Sequence, residues 1–279
     1  VPRGLEGNNL VPILAGTVLK MRDNELEREL QNLMDCGGNV WVIGDVHGYF
    51  GTLEALLQKL ELEEGDAVVM LGDLIDRGPE SAKIVRHVRR TGRLHSIRGN
   101  HEQMMIQGFD ESSFFRDRSM DSITWFRNGG NHTEASYIAL YGDGVEVLNA
   151  ASSDVEWMEG LPTEIVLRDW RMVHAGYDQN LDVEGQDEGM HMYARRQFYT
   201  SPNPIDPKRT ILFGHTPTHK HLHQDDSNAG EVWFSDVRLE DGRPMAIGMD
   251  TCLYHDLDLP RVLSAFNIQT GVVIYQNRV

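Results

Sequence analysis

The feature that most limits how this chain can fold is a repeated pairing of a strand-length run with a glycine and a polar residue. The runs span residues 40–43, 67–71 and 94–97 and end at or near Gly44-Asp45, Gly72-Asp73 and Gly99-Asn100. Between them, leucines at 53, 56, 57 and 60 and aliphatic residues at 84, 85 and 88 recur at helical spacing. This alternation of strand and helix predicts βαβ units and a largely parallel sheet.

Polar side chains follow these predicted strands at the edge where ligands bind in open α/β sheets. Asp45 and His47 are two residues apart, so an extended backbone places both side chains on the same side. Two further clusters, at 174–176 and 214–217, combine histidine with glycine after predicted strands. Carboxylate oxygens and imidazole nitrogens suit Mn²⁺, Fe or Zn²⁺. The sequence therefore predicts a metal centre that several strand ends share.

The rest of the chain is predicted to complete one domain over residues 21–279, because no internal repeat or Pro/Gly/Ser-rich linker divides it. Residues 102–160 are predicted to be mainly helical. Further strands are predicted at 164–167, 170–173, 211–213, 245–249, 262–268 and 272–275. Residues 1–20 are expected to be an expression remnant, because Val1-Pro2-Arg3-Gly4 resembles the end of a thrombin cleavage site and Met21 could be the natural start.

Composition narrows the classes of function. The formal net charge of −17 at pH 7 disfavours binding to nucleic acid or to an anionic membrane surface. No apolar run is long enough to span a membrane, and the N-terminal residues lack the pattern of a signal peptide. The chain has 2 cysteines, Cys36 and Cys252, which are too few for a disulfide framework. Together these features predict a cytoplasmic protein.

A series of short motifs resembles a known family. They read GDVHG at 44–48, GDLIDRG at 72–78, GNHE at 99–102, HAG at 174–176 and GHTP at 214–217. In this order they resemble the PPP family of metallophosphatases, and GNHEQMM and WFRNGG resemble its bacterial and phage lambda-type branch. The resemblance covers about residues 40–275. It implies an α/β fold: a four-layer metallophosphatase-like β-sandwich flanked by helices, with a βαβαβ metal-binding core.

The resemblance implies two divalent metal ions, with Mn²⁺ preferred and Fe or Zn²⁺ as alternatives. The implied ligands are Asp45, His47, Asp73, Asn100, His174 and His215. Asp73 would bridge the ions, with Asp45 and His47 completing the first set of ligands and the other three residues completing the second. A hydroxide between the ions would then attack phosphorus directly, without a phosphoenzyme.

The resemblance also implies roles in catalysis. His101 corresponds to the general acid that protonates the leaving alkoxide, and Asp76 corresponds to the carboxylate that orients it. Arg77 corresponds to a phosphate clamp, because guanidinium groups bind phosphate oxygens in pairs. A second clamp is expected at Arg195, with Arg196 beside it as the alternative.

The chain departs from the branch at several positions. Tyr193 and Ala194 stand where the branch has Trp and a polar residue, which is why Arg195 competes with its neighbour. Cys252 replaces the glycine of an Asp-Thr-Gly motif. The segment 216–249 is longer than in the phage enzyme by about 20 residues, and it is expected to be an active-face loop that shapes substrate choice.

Other side chains are given structural interpretations. The histidines at 219, 221 and 223 would share one side of an extended strand, and a solvated loop is preferred over an accessory metal site. Cys252 is expected to be a buried, inert thiol, because no adjacent residue is basic enough to activate it. The acidic run at 182–188 is expected to be a solvated loop.

The function favoured by the sequence is that of a metal-dependent protein serine/threonine phosphatase, with phosphotyrosine as a further candidate substrate. Its partners would be phosphorylated proteins or peptides, without nucleic acid or membrane, and the oligomeric state stays open. One alternative is a diadenosine tetraphosphate hydrolase or nucleotide phosphatase, although such relatives tend to carry Gln where this chain has His47. Another is a phosphoprotein-binding module without turnover.

Overall fold

The computed structural model describes residues 21–110, 119–223, 228–255 and 258–279 of the chain. Residues 1–20, the expected expression remnant, lie outside this range. Within the described residues, the strands form two sheets of five strands each. No helix in the described ranges is long and apolar enough to cross a membrane.

The strands match those predicted from the sequence and include one that was not predicted. They are β1 (Val40–Ile43), β2 (Ala67–Met70), β3 (Leu94–Ser96), β4 (Glu164–Val166), β5 (Trp170–Val173), β6 (Thr210–Phe213), β7 (Trp233–Phe234), β8 (Ala246–Gly248), β9 (Val262–Asn267) and β10 (Val273–Asn277). Every predicted strand is present with ends that differ by at most two residues, and β7 is the addition.

Helices separate the early strands and fill the middle of the chain, as predicted. They are α1 (Asn24–Asp35), α2 (Phe50–Lys59), α3 (Ser81–Arg90), α4 (Asn100–Gly108), α5 (Met120–Trp125), α6 (Asn131–Tyr141), α7 (Val145–Glu159), α8 (Glu188–Tyr193) and α9 (Arg196–Tyr199). Shorter helical turns lie at Phe126–Gly130, Val183–Gly185 and Thr218–Leu222.

The first sheet has the order β10-β9-β1-β2-β3. Its strands β1, β2 and β3 are parallel, as the strand–helix alternation predicts. Strand β9 pairs antiparallel with β1, and β10 pairs antiparallel with β9, so the complete sheet is mixed. The carboxyl ends of β1, β2 and β3 therefore meet at one edge of this sheet.

The second sheet has the order β4-β5-β6-β8-β7. The predicted hairpin of β4 and β5 is confirmed, because the two strands pair antiparallel. Strands β5, β6 and β8 are parallel, so the residues that follow β5 and β6 also lie at a common edge.

Alternating side chains explain how the sheets stack. Val40 and Val42 of β1 and Val69 of β2 point between the sheets, where they pack with Met172 and Leu212 of the second sheet. Successive residues of a strand face opposite sides, so every second residue joins this core. Burying each such side chain contributes about 1.5–3 kcal/mol, which holds the two sheets face to face.

The outer faces of both sheets are covered by helices. Trp41 and Ile43 point away from the second sheet and pack with Leu53 of α2 and the aliphatic face of α3. On the far side of the second sheet, Phe213 packs edge to face against Phe198 of α9, with ring centroids 5.1 Å apart. The expected four-layer α/β sandwich is thereby confirmed.

The segment between β6 and β8 differs from the expected active-face loop. Its middle forms β7, which pairs antiparallel with β8 and extends the second sheet. Arg238 then forms a bridge to Pro244, which closes the segment back on itself. Of its described residues, Trp233 and Phe234 belong to the second sheet, whereas Pro217 and His221 line the cavity beside the predicted metal ligands.

Candidate metal centre

Asp73 lies at the centre of the site, in the turn that follows β2. Its Oδ2 atom is 3.5 Å from Nε2 of His47, which follows β1. Its Oδ1 atom is 3.3 Å from Nε2 of His174, which follows β5. Asp45 lies next to this pair, with Oδ2 3.9 Å from the same nitrogen of His47. The two oxygens of one carboxylate therefore face two separate groups of ligands, which is the geometry a bridging residue needs.

Asn100, His174 and His215, the predicted second group of ligands, lie together. Oδ1 of Asn100 is 2.9 Å from Nε2 of His174 and 2.8 Å from Nδ1 of His215. Ligand atoms of Asp73, His174 and His215 all lie within 4.8 Å of one another. All the residues predicted to bind metal are buried and meet in this one site.

The hydrogen bonds of two histidines indicate that the site accepts a cation. Nδ1 of His174 lies 2.7 Å from the carbonyl oxygen of Leu71, and Nδ1 of His47 lies 2.9 Å from that of Ile75. A carbonyl can only accept, so each Nδ1 donates and each neutral ring turns the lone pair of Nε2 toward Asp73. At His174 this lone pair faces a carboxylate oxygen, which is repulsive without a cation between them, whereas at His47 the guanidinium of Arg77 lies beside the lone pair. The donor set therefore fits divalent ions.

Burial changes the pKa values of the site residues in ways that favour a bound cation. It lowers the pKa of His47, His174 and His215 below the ordinary value for histidine, which leaves the rings neutral and able to ligate. Burial also raises the pKa of Asp45, and the neighbouring charges of Asp250 and Asp73 raise it further. These crowded carboxylates would gain from a cation.

The site residues adopt an unusual backbone conformation. Their φ angles are positive: 45° at His47, 49° at Asp73, 71° at Asp76, 69° at Arg77 and 60° at His215. Such left-handed conformations cost on the order of 1–3 kcal/mol each for residues other than glycine. The surrounding structure must therefore hold these turns, and the sharp turns direct the side chains inward.

Two glycines leave room for the ligands. A Cβ atom on Gly214 would lie 2.1 Å from Oδ1 of Asp45, and one on Gly99 would lie 2.3 Å from Oδ1 of Asp73. Side-chain atoms do not approach this closely, so any other residue would displace a ligand. Glycine allows sharp turns beside a ligand in general, and these two positions require it most directly.

Glu102 supports the site and was not singled out from the sequence. Its carboxylate accepts hydrogen bonds from the backbone N–H groups of Asp73 at 2.8 Å, Leu74 at 2.8 Å and Gly99 at 2.9 Å. It thereby ties the turn after β2 to the start of α4. The only signal in the sequence was its place in the GNHE motif.

His101 and Asp76, the predicted acid and its orienting carboxylate, lie together. Nδ1 of His101 is 2.7 Å from Oδ2 of Asp76. Burial lowers the pKa of His101, but the charges of Asp73 and Asp76 outweigh burial, so the pKa lies above its ordinary value. The ring can therefore hold a proton near the ligands of the metal centre.

Two further residues hold Asp76 in place. The indole Nε1 of Trp125 donates to Oδ1 of Asp76 at 3.0 Å, and the hydroxyl of Thr133 donates to the same oxygen at 2.6 Å. Trp125 belongs to the WFRNGG motif, but neither supporting role was predicted. Both lie far from Asp76 in the sequence, so no local pattern links them to it.

A cavity of about 200 Å³ opens over the ligands and contains both proposed phosphate clamps. Arg77 and Arg195 line it, whereas Arg196 is not among its lining residues. This placement agrees with the choice of Arg195, whose role stays a prediction. Residues that line the cavity and were not predicted are Asn128, Pro217, His221, Tyr254 and His255.

The guanidinium of Arg77 is held in a defined position. It donates to Nε2 of His47 at 2.6 Å and lies 3.0 Å from Nε2 of His101. It also stacks on the ring of Tyr254, with the guanidinium carbon 3.9 Å from the ring centroid. The two ring nitrogens and the aromatic face place this cation directly beside the metal ligands.

Two of the structural interpretations need correction. The three histidines do not share one side, because Thr218–Leu222 is a helical turn and His219 is buried with Nδ1 2.6 Å from Sγ of Cys252. Residues 182–188 are not a solvated loop as a whole, because Glu184 pairs with the buried Arg171 and Gln186 is buried.

Cys252 is buried, as predicted. Burial raises the pKa of its thiol, in agreement with an inert side chain. Its φ angle of 69° explains why the resembling family has glycine at this position.

A two-sheet sandwich whose strand ends surround one carboxylate with nitrogen and oxygen ligands, next to a buried histidine–aspartate pair, defines a metal-dependent phosphoester hydrolase. The chain belongs to the calcineurin-like phosphoesterase family, whose model matches residues 38–259.

Individual relatives differ in their described substrates. Serine/threonine-protein phosphatase 1 of Salmonella typhimurium is 28% identical over 189 residues, which cover 66% of this chain and 81% of that protein. A symmetrical bis(5'-nucleosyl)-tetraphosphatase of Hamiltonella defensa is 47% identical over 68 residues, or 24% of this chain and 25% of that protein. A solved metallophosphoesterase from Sphaerobacter thermophilus shares the fold, with a TM-score of 0.50 and 19% identity over 86% of this chain and 87% of that chain.

Proposed function

We propose that this chain is a protein phosphatase that hydrolyses phosphoserine and phosphothreonine, with Mn²⁺ as the preferred ion. The observation that supports the proposal most is the pair of His101 and Asp76, 2.7 Å apart and adjacent to Asp73. A phosphate monoester needs an acid for its alkoxide leaving group, and His101 of this pair lines the open cavity where one would bind.

The side chains around the cavity would have different roles in hydrolysis. When bound, two divalent ions supply Lewis acidity and lower the pKa of a water molecule. Arg77 and Arg195 bind the phosphate oxygens from the cavity wall. His101 uses Nδ1 for its bond to Asp76, so Nε2 is the atom that delivers the proton to the leaving oxygen.

We propose protein substrates because the longer of the two sequence matches described above is to a protein phosphatase. The phosphatase of Salmonella typhimurium is matched over 81% of its length, and its name describes a serine/threonine-protein phosphatase. The motifs GNHEQMM and WFRNGG point to the same branch. The proposed cytoplasmic location agrees with two free cysteines, Cys36 and Cys252.

A second candidate function is hydrolysis of diadenosine tetraphosphate. It is favoured by the 47% identity to a bis(5'-nucleosyl)-tetraphosphatase, although that match covers only 24% of this chain. His47 disfavours it, since relatives with that activity tend to carry Gln at the corresponding position. The two candidates share the metal centre and differ in the leaving group that the cavity must accept.

A substrate panel on the Mn²⁺-loaded protein separates the candidates. We expect turnover of phosphoserine and phosphothreonine peptides and of p-nitrophenyl phosphate, loss of all activity on chelation, and slower or no turnover of diadenosine tetraphosphate. A preference for the dinucleotide would replace the first candidate with the second. Activity on phosphotyrosine peptides would widen the substrate range without changing the mechanism.

Matched variants test the site itself. Asn100→Ala and His101→Ala should each reduce turnover by at least about 10²-fold, because they remove a ligand and the acid. Asn149→Ala, an exposed residue of α7, serves as the control and should retain full turnover. Stoichiometric metal without turnover in the unmodified protein would instead favour a phosphoprotein-binding module.

A further inference from the structure

Positive charge is concentrated at the end of α3, on a chain whose formal net charge is −17. The last two turns of this helix contain Arg86, Arg89 and Arg90. The helix begins shortly after Arg77 and runs away from the metal centre. At 1.5 Å per residue, Arg90 lies roughly 13 Å further along the axis than Ser81. This basic cluster is therefore separate from the phosphate clamps.

The three arginines line a cavity of about 340 Å³ between α3, α6 and α7. Tyr141 of α6 and Ser153 of α7 also line it. A tyrosine ring and a hydroxyl group beside guanidinium groups are suited to a ligand that combines charge with hydrogen-bond acceptors. The cavity is larger than the one over the metal centre, at about 200 Å³.

Only Arg89 of the three forms an ion pair within the described cavity wall, although the charge of Asp154 also attracts Arg90 at longer range. Arg89 forms a close ion pair with Asp154, which also accepts a hydrogen bond from the hydroxyl of Tyr137 at 2.7 Å. The side chains of Arg86 and Arg90 form no hydrogen bond or ion pair with another residue in the described ranges. They are four residues apart on one helix face, where like charges repel each other.

We propose that this cavity binds a small phosphate compound through Arg86 and Arg90. Guanidinium groups bind phosphate oxygens through paired, charge-assisted hydrogen bonds, and an anion between them removes their mutual repulsion. Arg89, fixed by Asp154, forms the rigid wall of the site. Ser153 adds a hydroxyl donor, and the ring of Tyr141 provides a surface for an organic group.

Calorimetric titration of the Mn²⁺-loaded protein with inorganic phosphate tests the proposal. We expect two classes of site in the unmodified chain, one at the metal centre and one at α3. The double variant Arg86→Gln/Arg90→Gln should lose the second class or bind it at least tenfold more weakly. Its inhibition by phosphate at the metal centre should stay unchanged, because that site does not include α3.

A matched control removes the same charge elsewhere. Arg28→Gln/Lys59→Gln changes two exposed residues of α1 and α2 and should retain both classes of site. Circular dichroism of each variant shows whether it is folded, and the exposure of Arg90 makes that outcome expected. Equal phosphate stoichiometry in both double variants and the unmodified chain would overturn the proposal.

A second probe identifies the form of the ligand. Phenylphosphonate mimics a phosphate ester, resists hydrolysis and carries an aromatic ring that could contact Tyr141. Tighter binding of phenylphosphonate than of phosphate at the second site would assign it to phosphate esters, and tighter binding of phosphate would assign it to the free anion. Failure of both probes to occupy it would contradict the proposal.

Discussion

Asp76 connects the acid to the rest of the protein, because one of its oxygens holds His101 and the other accepts from Thr133 and Trp125. Asp76→Asn should reduce turnover of an alkyl phosphate by about 10²–10⁴-fold, since the neutral amide no longer favours a protonated His101. The measurement is kcat on a phosphoserine peptide, with metal content determined on the same sample.

Asp76→Asn should also shift the pH dependence of turnover. The negative charge of Asp76 is one reason why the pKa of His101 is raised, so its loss lowers that pKa. The fall in turnover at high pH should therefore begin at a lower pH in the variant. p-Nitrophenyl phosphate, whose leaving group needs little protonation, should be affected much less than the alkyl phosphate. Equal losses on both substrates would contradict a role through the acid.

Substitution of the neighbours Arg195 and Arg196 tests which of them binds phosphate. Arg195 lines the cavity over the metal ligands and Arg196 does not. Arg195→Ala should raise KM and lower kcat/KM by about 10–100-fold, as expected for losing one charge-assisted bond to phosphate. Arg196→Ala should stay within about twofold of the unmodified protein. A larger effect at Arg196 would reverse the assignment.

At the scale of elements, three helices meet at one buried carboxylate. Asp154 of α7 accepts from Tyr137 of α6 and pairs with Arg89 of α3. Thr133, four residues before Tyr137 on α6, contacts Asp76 in the site. The helix that supports the acid is thus joined to its neighbours by a polar contact as well as by apolar packing.

Tyr137→Phe tests that contact. It leaves one oxygen of a buried aspartate without its hydroxyl donor, which should lower the free energy of unfolding by about 1–3 kcal/mol. Tyr141→Phe, on the same helix but with no such bond to any residue that the structure describes, should change it by less than about 0.5 kcal/mol. Urea unfolding of both variants gives the comparison. Equal changes would show that the hydroxyl of Tyr137 contributes little.

The elements were predictable where a local pattern defines them. Strands β1 and β2 are apolar runs with a clear end at glycine and aspartate, and their helices follow regular spacing. Strand β7 has only two residues and exists because β8 offers an open edge, so no periodicity reveals it. The pairing of β9 with β1 joins distant parts of the chain, and no feature of either strand predicts its partner.

In the site, too, some residues follow from local sequence patterns and others only from tertiary contacts. Its predicted ligands follow strand ends and match family motifs, and the structure brings them together in one site. The groups that hold them, such as Glu102 and Thr133, act on residues from other elements. Their roles depend on tertiary contacts, which a single sequence does not display.

At the scale of the molecule, the predicted metal ligands come from both sheets. Asp45, His47, Asp73 and Asn100 follow strands of the first sheet, and His174 and His215 follow strands of the second. Added Mn²⁺ should raise the thermal midpoint, with stabilisation of about 2.7 kcal/mol at a concentration 100 times Kd. Asp73→Asn should abolish most of the increase, measured by thermal unfolding with and without Mn²⁺.

His191 makes stability depend on pH away from the metal ligands. Burial and the charge of Arg171 lower its pKa to about 4 in the folded chain, against 6.5 for an ordinary histidine. Between these values the unfolded chain binds a proton that the folded chain does not. The free energy of unfolding should therefore fall as pH decreases from about 6.5 to 4, with roughly 3 kcal/mol from this residue.

His191→Gln should reduce that dependence, because glutamine does not titrate. Urea unfolding at pH 6.5 and 4.5 measures the difference for both proteins, and the other buried histidines contribute equally to each. An identical change in stability for the variant would show that His191 is not responsible.

The order of the first sheet has a consequence for how the protein is made. Strand β1 lies between β2 and β9, so one side of its backbone stays unpaired until residues 262–267 have left the ribosome. Distant pairings of this kind form slowly, and exposed strand edges favour aggregation. We expect the nascent chain to depend on chaperones until late in synthesis, and truncation before β9 to yield insoluble protein although all six predicted metal ligands are still present.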